Sequence, residues 1–317
     1  MEAKTPGRPP ARAEHLERGE HATTTRTGYG SSIAHHGEIL QGVFELSPGQ
    51  LERALVTLPC PLFSAHAVFT PDDSGTLALE PYWKVKARLA AQTTLAAHGL
   101  EHKGGRLVVK SEIPIRWGLG SSTSDVIATI IAVADAFSLL LQPEQIASLA
   151  VDAEAASDSL MFGDRTVLFA HRRGYVVEEL GGPLPPLDVL GFNTDPTGKG
   201  VDTVEFAPAR YNRSEIEMLQ PLPGLLRRAL REGDPRGVGR VATASARINQ
   251  RHLPIPRFDA LLALAETVHS VGLQVAHSGT VVGLLFDAND ARKSAGIQKA
   301  RTLLRESGIE QTWHFRT

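Results

Sequence analysis

The amino-acid sequence predicts an α+β fold in two domains, and three observations carry that expectation. The 317 residues exceed what one hydrophobic core usually serves. Strand-like and helix-like segments follow one another along the chain. A Gly- and Pro-rich stretch at 181–198 separates two such runs and places a boundary near residue 183. The expected division is a tail at 1–28, an N-terminal domain at 29–182 and a C-terminal domain at 183–317.

Each element follows from local chemistry. Residues 1–28 carry Pro6, Pro9 and Pro10 and almost no large apolar side chain, so burial cannot offset their ordering entropy and a disordered tail is expected. The runs at 54–59, 63–69 and 106–115 are apolar or alternating and broken by proline, which predicts short strands with turns between. Residues 121–141 hold no Gly or Pro and are rich in Ala and aliphatics, which predicts a buried helix. Pro143 opens a second helix to 157, and 166–180 returns to strand. Beyond the boundary come helices near 214–232, 236–250 and 257–271, strands at 272–279 and 280–287, a helix at 289–307 and a terminal strand at 312–316.

Composition excludes several function classes. With 33 Lys and Arg against 35 Asp and Glu, the chain lacks the basic excess of a nucleic-acid binder. Eight arginines between 227 and 257 read as a solvated helix surface. The single cysteine, Cys60, cannot form an internal disulfide, and a cytoplasmic setting is expected. No run of 18 uncharged apolar residues predicts a membrane span. A homodimer is left open.

The chemistry concentrates at Pro114–Thr123, PIRWGLGSST, between a predicted strand and the long helix. Gly118 and Gly120 allow close approach of the main chain to an anion, and the first helical turn presents unpaired amides at the positive end of its dipole. Ser121 and Ser122 add hydroxyls suited to phosphate or Mg²⁺. A dinucleotide fingerprint would need glycine at Thr123, and neither a Walker A lysine nor a nucleophile elbow is present there.

This P-x-x-x-G-L-G-S-S element resembles the phosphate loop of the GHMP kinases, the family of galactokinase, homoserine kinase, mevalonate kinase and phosphomevalonate kinase. Two further landmarks appear in order: GSSIAHHGEILQG at 30–42 is similar to the N-terminal motif, and AHSGTVVGLLF at 276–286 to the C-terminal glycine loop. Within the family, the spellings GEILQG and AHSGT and the pair Asp158-Ser159 most resemble bacterial L-threonine kinases of the cobalamin side-chain pathway.

The resemblance implies a fold with a ribosomal-protein-S5-domain-2-like N-terminal domain and a ferredoxin-like α/β-plait C-terminal domain, the active site lying between them. It implies transfer of the γ-phosphate of ATP to the hydroxyl of a small hydroxy amino acid, first L-threonine and then homoserine or another alcohol, with Mg²⁺ as cofactor. A family member that has lost catalysis and acts as a sensor is the alternative. Pro114, Gly118, Leu119, Gly120, Ser121, Ser122 and Thr123 would hold ATP, Ser122 and Glu154 the metal, and Asp158 would be catalytic. His36, Glu38, Gln41, Asp158, Arg247, Ser278, Gly279 and Thr280 would face the acceptor.

Two departures from the family pattern stand out. The cation that usually steers the catalytic aspartate is missing near Ser31 and Ser32, and Thr123 replaces the usual alanine. Adjacent histidines on a strand point to opposite faces, so His35 and His36 should not chelate one ion together; one is expected to face substrate, and His36 is assigned to it.

Overall fold

The computed structural model describes residues 26–195, 197 and 209–317; residues 1–25 of the expected tail lie outside these. Arg26 to Gly28 belong to the folded body. The Arg26 amide donates to the Ala136 carbonyl at 3.2 Å, and its guanidinium pairs with Asp135.

The first half contains β1 (Gly28–Ser47), β2 (Gln50–Asp72), β3 (Leu77–Glu80), α1 (Val85–Ala97), β4 (Gly104–Ser111), α2 (Ser121–Ala136), α3 (Pro143–Glu154), β5 (Thr166–Ala170) and β6 (Tyr175–Gly181). The second contains β7 (Leu187–Asn193), α4 (Arg213–Leu219), α5 (Leu222–Glu232), α6 (Pro235–Asn249), α7 (Phe258–Thr267), β8 (Gly272–Val275), β9 (Val281–Asp287), α8 (Lys293–Glu306) and β10 (Thr312–Arg316). The strands form one mixed sheet in the order β10-β7-β9-β8-β1-β2-β4-β3, with β5 on β2 and β6 on β5. The β1–β8 pairing that joins the halves aligns Glu38 with Val275.

Several elements differ from expectation. The runs at 54–59 and 63–69 are one strand, because Pro61 to Phe63 form an excursion between Cys60, opposite Ala34, and Ser64, opposite Ile33. Proline there bulges the strand without ending it. The segment 166–180 is a hairpin, and 214–232 is two helices, with Pro221 just before α5. The long helix stops at Ala136, where the Phe137 and Ser138 amides bond back to Val133 and Asp135. Strand β7 lies inside the Gly/Pro-rich stretch, and α1 and β3 carry little amphipathic signal.

Helix α2 packs on β1 through small residues. A side chain at Gly30 would overlap the backbone of Ala128 and Ala132, and one at Gly28 the backbone of Ala132 and Ala136. The first-half core gathers Phe44, Phe69, Leu107, Val133 and Phe137, all buried. A second core, with Phe192, Leu262, Leu284, Phe286 and Leu304, joins β7, β8 and β9 to α7 and α8.

Because β1 must lie flat on α2, Gly30→Leu is expected to destabilise the protein by about 1–3 kcal/mol, the usual cost of overpacking. Urea unfolding followed by circular dichroism measures it; an unchanged midpoint would contradict this packing.

Candidate active site

A cleft of about 650 Å³ opens where the two halves meet, lined by Gly118 to Thr123 on one side and by Gln41, His277 and Ser278 on another. Its floor depends on irregularities in β1. Between His35, opposite Pro59, and Glu38, opposite Thr57, β1 has one residue more than β2, and a second shift follows before Leu40. Gly37 takes up the first bulge with φ +67°. Each extra residue resets the in–out alternation. His35, Glu38 and Gln41 therefore gather on one side despite their odd spacing, with the His35 and Glu38 side chains 3.9 Å apart.

His36 is thereby turned away, which corrects its assignment to substrate. It is fully buried behind the cleft, against Trp313 and Phe315, with its Nδ1 bonded to Gln274. His35 takes the inward place. Its Nε2 lies 2.9 Å from Asp158, and its Nδ1 accepts the Gly37 amide at 3.0 Å, so Nε2 carries the proton toward the carboxylate. The partner that Asp158 seemed to lack thus comes from the same motif, four residues beyond Ser31.

The glycine loop rests against this histidine. Gly120, at φ +73°, is the N-cap of α2, and any side chain there would collide with the His35 ring. The His35 amide also donates to the Leu119 carbonyl at 3.2 Å. Gly118, at φ +89°, sits against Ala276 and Gly279, and the amides of Thr280 and Val281 bond the Trp117 carbonyl at 3.0 and 3.2 Å. The two glycine-containing loops are therefore stapled together.

The acidic groups meet on Thr123. Its hydroxyl donates to Glu154 at 2.9 Å and reaches Asp158 at 3.3 Å, while Ser122 donates to Glu154 at 2.7 Å. Burial pushes the Glu154 carboxyl up to about 7 against the pull of the Ser122 and Thr123 hydroxyls and of Lys86, 3.8 Å away. Burial also acts to raise Asp158, but His35, aided by the charge of His277, outweighs it and holds that carboxyl below the usual range. Two carboxyls a few residues apart thus have opposite proton affinities.

Glu38 is fully engaged: its oxygens receive the His277 amide at 2.7 Å and the His277 ring at 2.6 Å. Burial opposes charging His277, yet Glu38 overrides it and raises the imidazole to about 9. His35, Glu38 and Asp158 place three ligand atoms within 4.8 Å of one another, but those groups already satisfy each other and His277.

Other expected site residues divide. Gly118 to Thr123, Glu154, Asp158, Gln41 and Ser278 line the cleft; Pro114 does not, although Ile115 and Arg116 do. Arg247 is exposed on the far face of α6, and it is Ser245 and Asn249 that turn inward, bonding the backbone of Gln41. Gly279 packs on Trp117, and the Thr280 hydroxyl bonds Asn193 at 2.6 Å, so both support the loop from behind. In the arginine-rich segment Arg227, Arg228, Arg240 and Arg251 pair with Glu178, Glu232, Asp234 and Glu215. The sequence reading missed Lys86, Arg53, His171, Arg172 and Tyr211, which lie in unremarkable stretches; the tandem arginines after His171 were the available signal.

Comparison with known proteins follows the same lines. The family described as GHMP kinases N terminal domain matches residues 84–163. The chain is 34% identical to an L-threonine kinase of Salmonella typhimurium over 208 residues, 66% of this chain and 67% of that one. It is 36% identical to an L-threonine kinase of Citrobacter freundii over 185 residues, 58% of this chain and 63% of that relative, just under two thirds of its length. Among solved structures, Cytophaga hutchinsonii homoserine kinase aligns with TM-score 0.65 at 16% identity over 92% of this chain and 94% of that one. Streptococcus pneumoniae phosphomevalonate kinase, in complex with phosphomevalonate and AMPPNP, aligns with TM-score 0.65 at 15% identity over 92% and 100%.

Linkage gives the Glu38–His277 pair a pH signature. A histidine raised from 6.5 to about 9 contributes stability that is complete below pH 6.5 and lost as pH rises through about 9. Thermal melts at pH 6.5 and 9.5 should show a fall in Tm that is much smaller in His277→Gln; equal falls would contradict the pairing.

Proposed function

Since this chain belongs to the GHMP kinase family, we propose that it is an ATP-dependent kinase whose acceptor is the side-chain hydroxyl of L-threonine, giving O-phospho-L-threonine and ADP. The observation that carries the reading is the meeting of the Gly118–Ser122 loop, Glu154 and Asp158 in one cleft. Support for the acceptor comes from the two L-threonine kinases it resembles. Residues 29–182 and 183–317 are read as two domains with the cleft along their seam.

In this reading the triphosphate rests on the loop amides and the first turn of α2, where the helix dipole and unpaired N–H groups favour anions. The acceptor oxygen attacks the γ-phosphorus, the bond to the β,γ-bridging oxygen breaks, and ADP leaves. Catalysis of such a loose transfer is mainly positioning and charge neutralisation. Asp158, held ionised beside His35, accepts a hydrogen bond from the acceptor hydroxyl and so aims its oxygen. A carboxylate of such low basicity takes the proton only as the new P–O bond forms, late in the transfer. His35 acts as a positioning residue, fixing the Asp158 carboxylate while bracing Gly120.

Ser122 and Glu154 suit a divalent cation: a hydroxyl and a carboxylate at 2.7 Å supply hard oxygens, and among the described residues the buried carboxyl has only Lys86, at 3.8 Å, as a nearby cation. Ser122 and Glu154 would hold Mg²⁺ there, and the ion would supply neutralisation of the phosphate charge. Lys86 adds a fixed positive charge at the same end of the cleft.

Asp158→Asn is expected to lower kcat by about 100-fold or more while the KM for ATP stays within about three-fold. Steady-state assays with L-threonine and ADP detection measure this, and retention of kcat within a few-fold would contradict the role of Asp158. Glu154→Gln should raise the Mg²⁺ concentration for half-maximal rate by about ten-fold; an unchanged Mg²⁺ dependence would remove Glu154 from the metal site.

A further inference from the structure

The cleft holds positive charge that no carboxylate among the described residues balances. Arg53 of β2 and Arg172, in the turn between β5 and β6, both line it. Their neighbours are paired: Arg173 with Glu52 at 3.0 Å, and Arg251 with Glu215. Among the described residues, neither Arg53 nor Arg172 has a carboxylate within salt-bridge distance. Arg53 donates to the Ala209 carbonyl at 2.6 Å and lies 5.7 Å from the Tyr211 ring; burial weakens its hold on its proton, Tyr211 opposes that, and the charge of Arg172 adds to it. Arg53 is half-buried and Arg172 exposed, and both line one cleft, so an anion held by both would relieve their mutual repulsion.

Strand geometry places this pair relative to Asp158. Arg53, Leu55 and Thr57 alternate onto one face of β2, while Glu52 turns to the other face and its partners Arg173 and Tyr175. Thr57 receives the amide and hydroxyl of Ser159 at 3.1 and 2.9 Å, which fixes the segment bearing Asp158. Four residues of strand, about 13 Å, therefore separate the Arg53 backbone from the Asp158 anchor. Arg53 and Asp158 both line the cleft, so the space between them is open to a small acceptor. His171 lines the same space; its buried Nδ1 has no hydrogen-bond partner, and its charge interactions reach Asp158 as well as both arginines. The phosphate loop, Lys86 and Glu154 already serve the nucleotide end.

We propose that Arg53 and Arg172 form the subsite for the carboxylate of the acceptor, so that the enzyme selects a hydroxy acid over a neutral alcohol of the same shape. This deepens, and rests on, the reading of the chain as an amino-acid kinase. Guanidinium groups suit the task because their planar donors match a carboxylate in two-point contact.

The test compares L-threonine with L-threoninol, which lacks the carboxylate, in the wild type and in Arg53→Met and Arg172→Met. Arg172 is exposed, so its substitution does not threaten the fold. The wild-type preference in kcat/KM for L-threonine should fall by on the order of 10- to 100-fold in each variant, through the acceptor KM, with the ATP KM moving less than about three-fold. An unchanged preference in both variants overturns the subsite. A loss carried by the ATP KM also overturns it, assigning the arginines to the nucleotide phosphates. If the wild type phosphorylates neither compound, the acceptor reading has failed, and calorimetric titration with L-lactate and with lactamide judges the subsite separately. Lactate binding lost in both variants upholds it, and equal heats for the two probes overturn it.

Discussion

The contact of His35 with Gly120 on one side and Asp158 on the other is the constraint on which the site depends. One imidazole touches the N-cap of α2 and, at 2.9 Å, the Asp158 carboxylate. It thereby couples the position of the Gly118–Ser122 loop to the position of the candidate catalytic group. Any residue larger than glycine at 120 would push the ring away and release Asp158. The left-handed backbone there adds a second, independent demand for glycine.

The rest of the site is built outward from that contact. Thr123 joins Asp158 to Glu154, Glu154 holds Ser122, and the Glu38–His277 pair ties β1 to the loop following β8. The loop from Ala276 to Thr280 is in turn bonded to the Trp117 carbonyl. Buried charges are costly alone and tolerable in pairs. This cluster is organised so that its acids each have a donor, while Arg53 and Arg172 have no acid in salt-bridge range among the described residues. That imbalance in the cleft is what distinguishes it from an ordinary buried ion-pair network.

Much of this was legible in the amino-acid sequence because the Gly118–Ser122 loop is a local structure. Gly118, Gly120, Ser121 and Ser122 need only a strand before them and a helix behind, and both announce themselves by composition. Glu154 and Asp158 follow at the end of the next helix. The terminal strand and the helix before it also read directly. What failed was parity. Simple alternation on β1 leaves the roles of His35 and His36 open, and it separates His35 from Glu38; two bulges, one accommodated by Gly37, reverse those relations.

Long-range partners were equally hidden. Arg247 looked like the acceptor's donor because helical spacing shows which residues share a face without showing which face turns inward; packing against Gln41 chose Ser245 and Asn249. Arg53 and Arg172 are 119 positions apart (172 − 53) and line one cleft because β5 pairs with β2 at Leu55 and Phe169. The most direct test of the account is a crystal structure with Mg²⁺ and a non-hydrolysable ATP analogue. It should show the triphosphate on the main chain of Gly118 to Ser122 with its terminal phosphate turned toward Asp158. A nucleotide bound elsewhere, with that loop free, would contradict it.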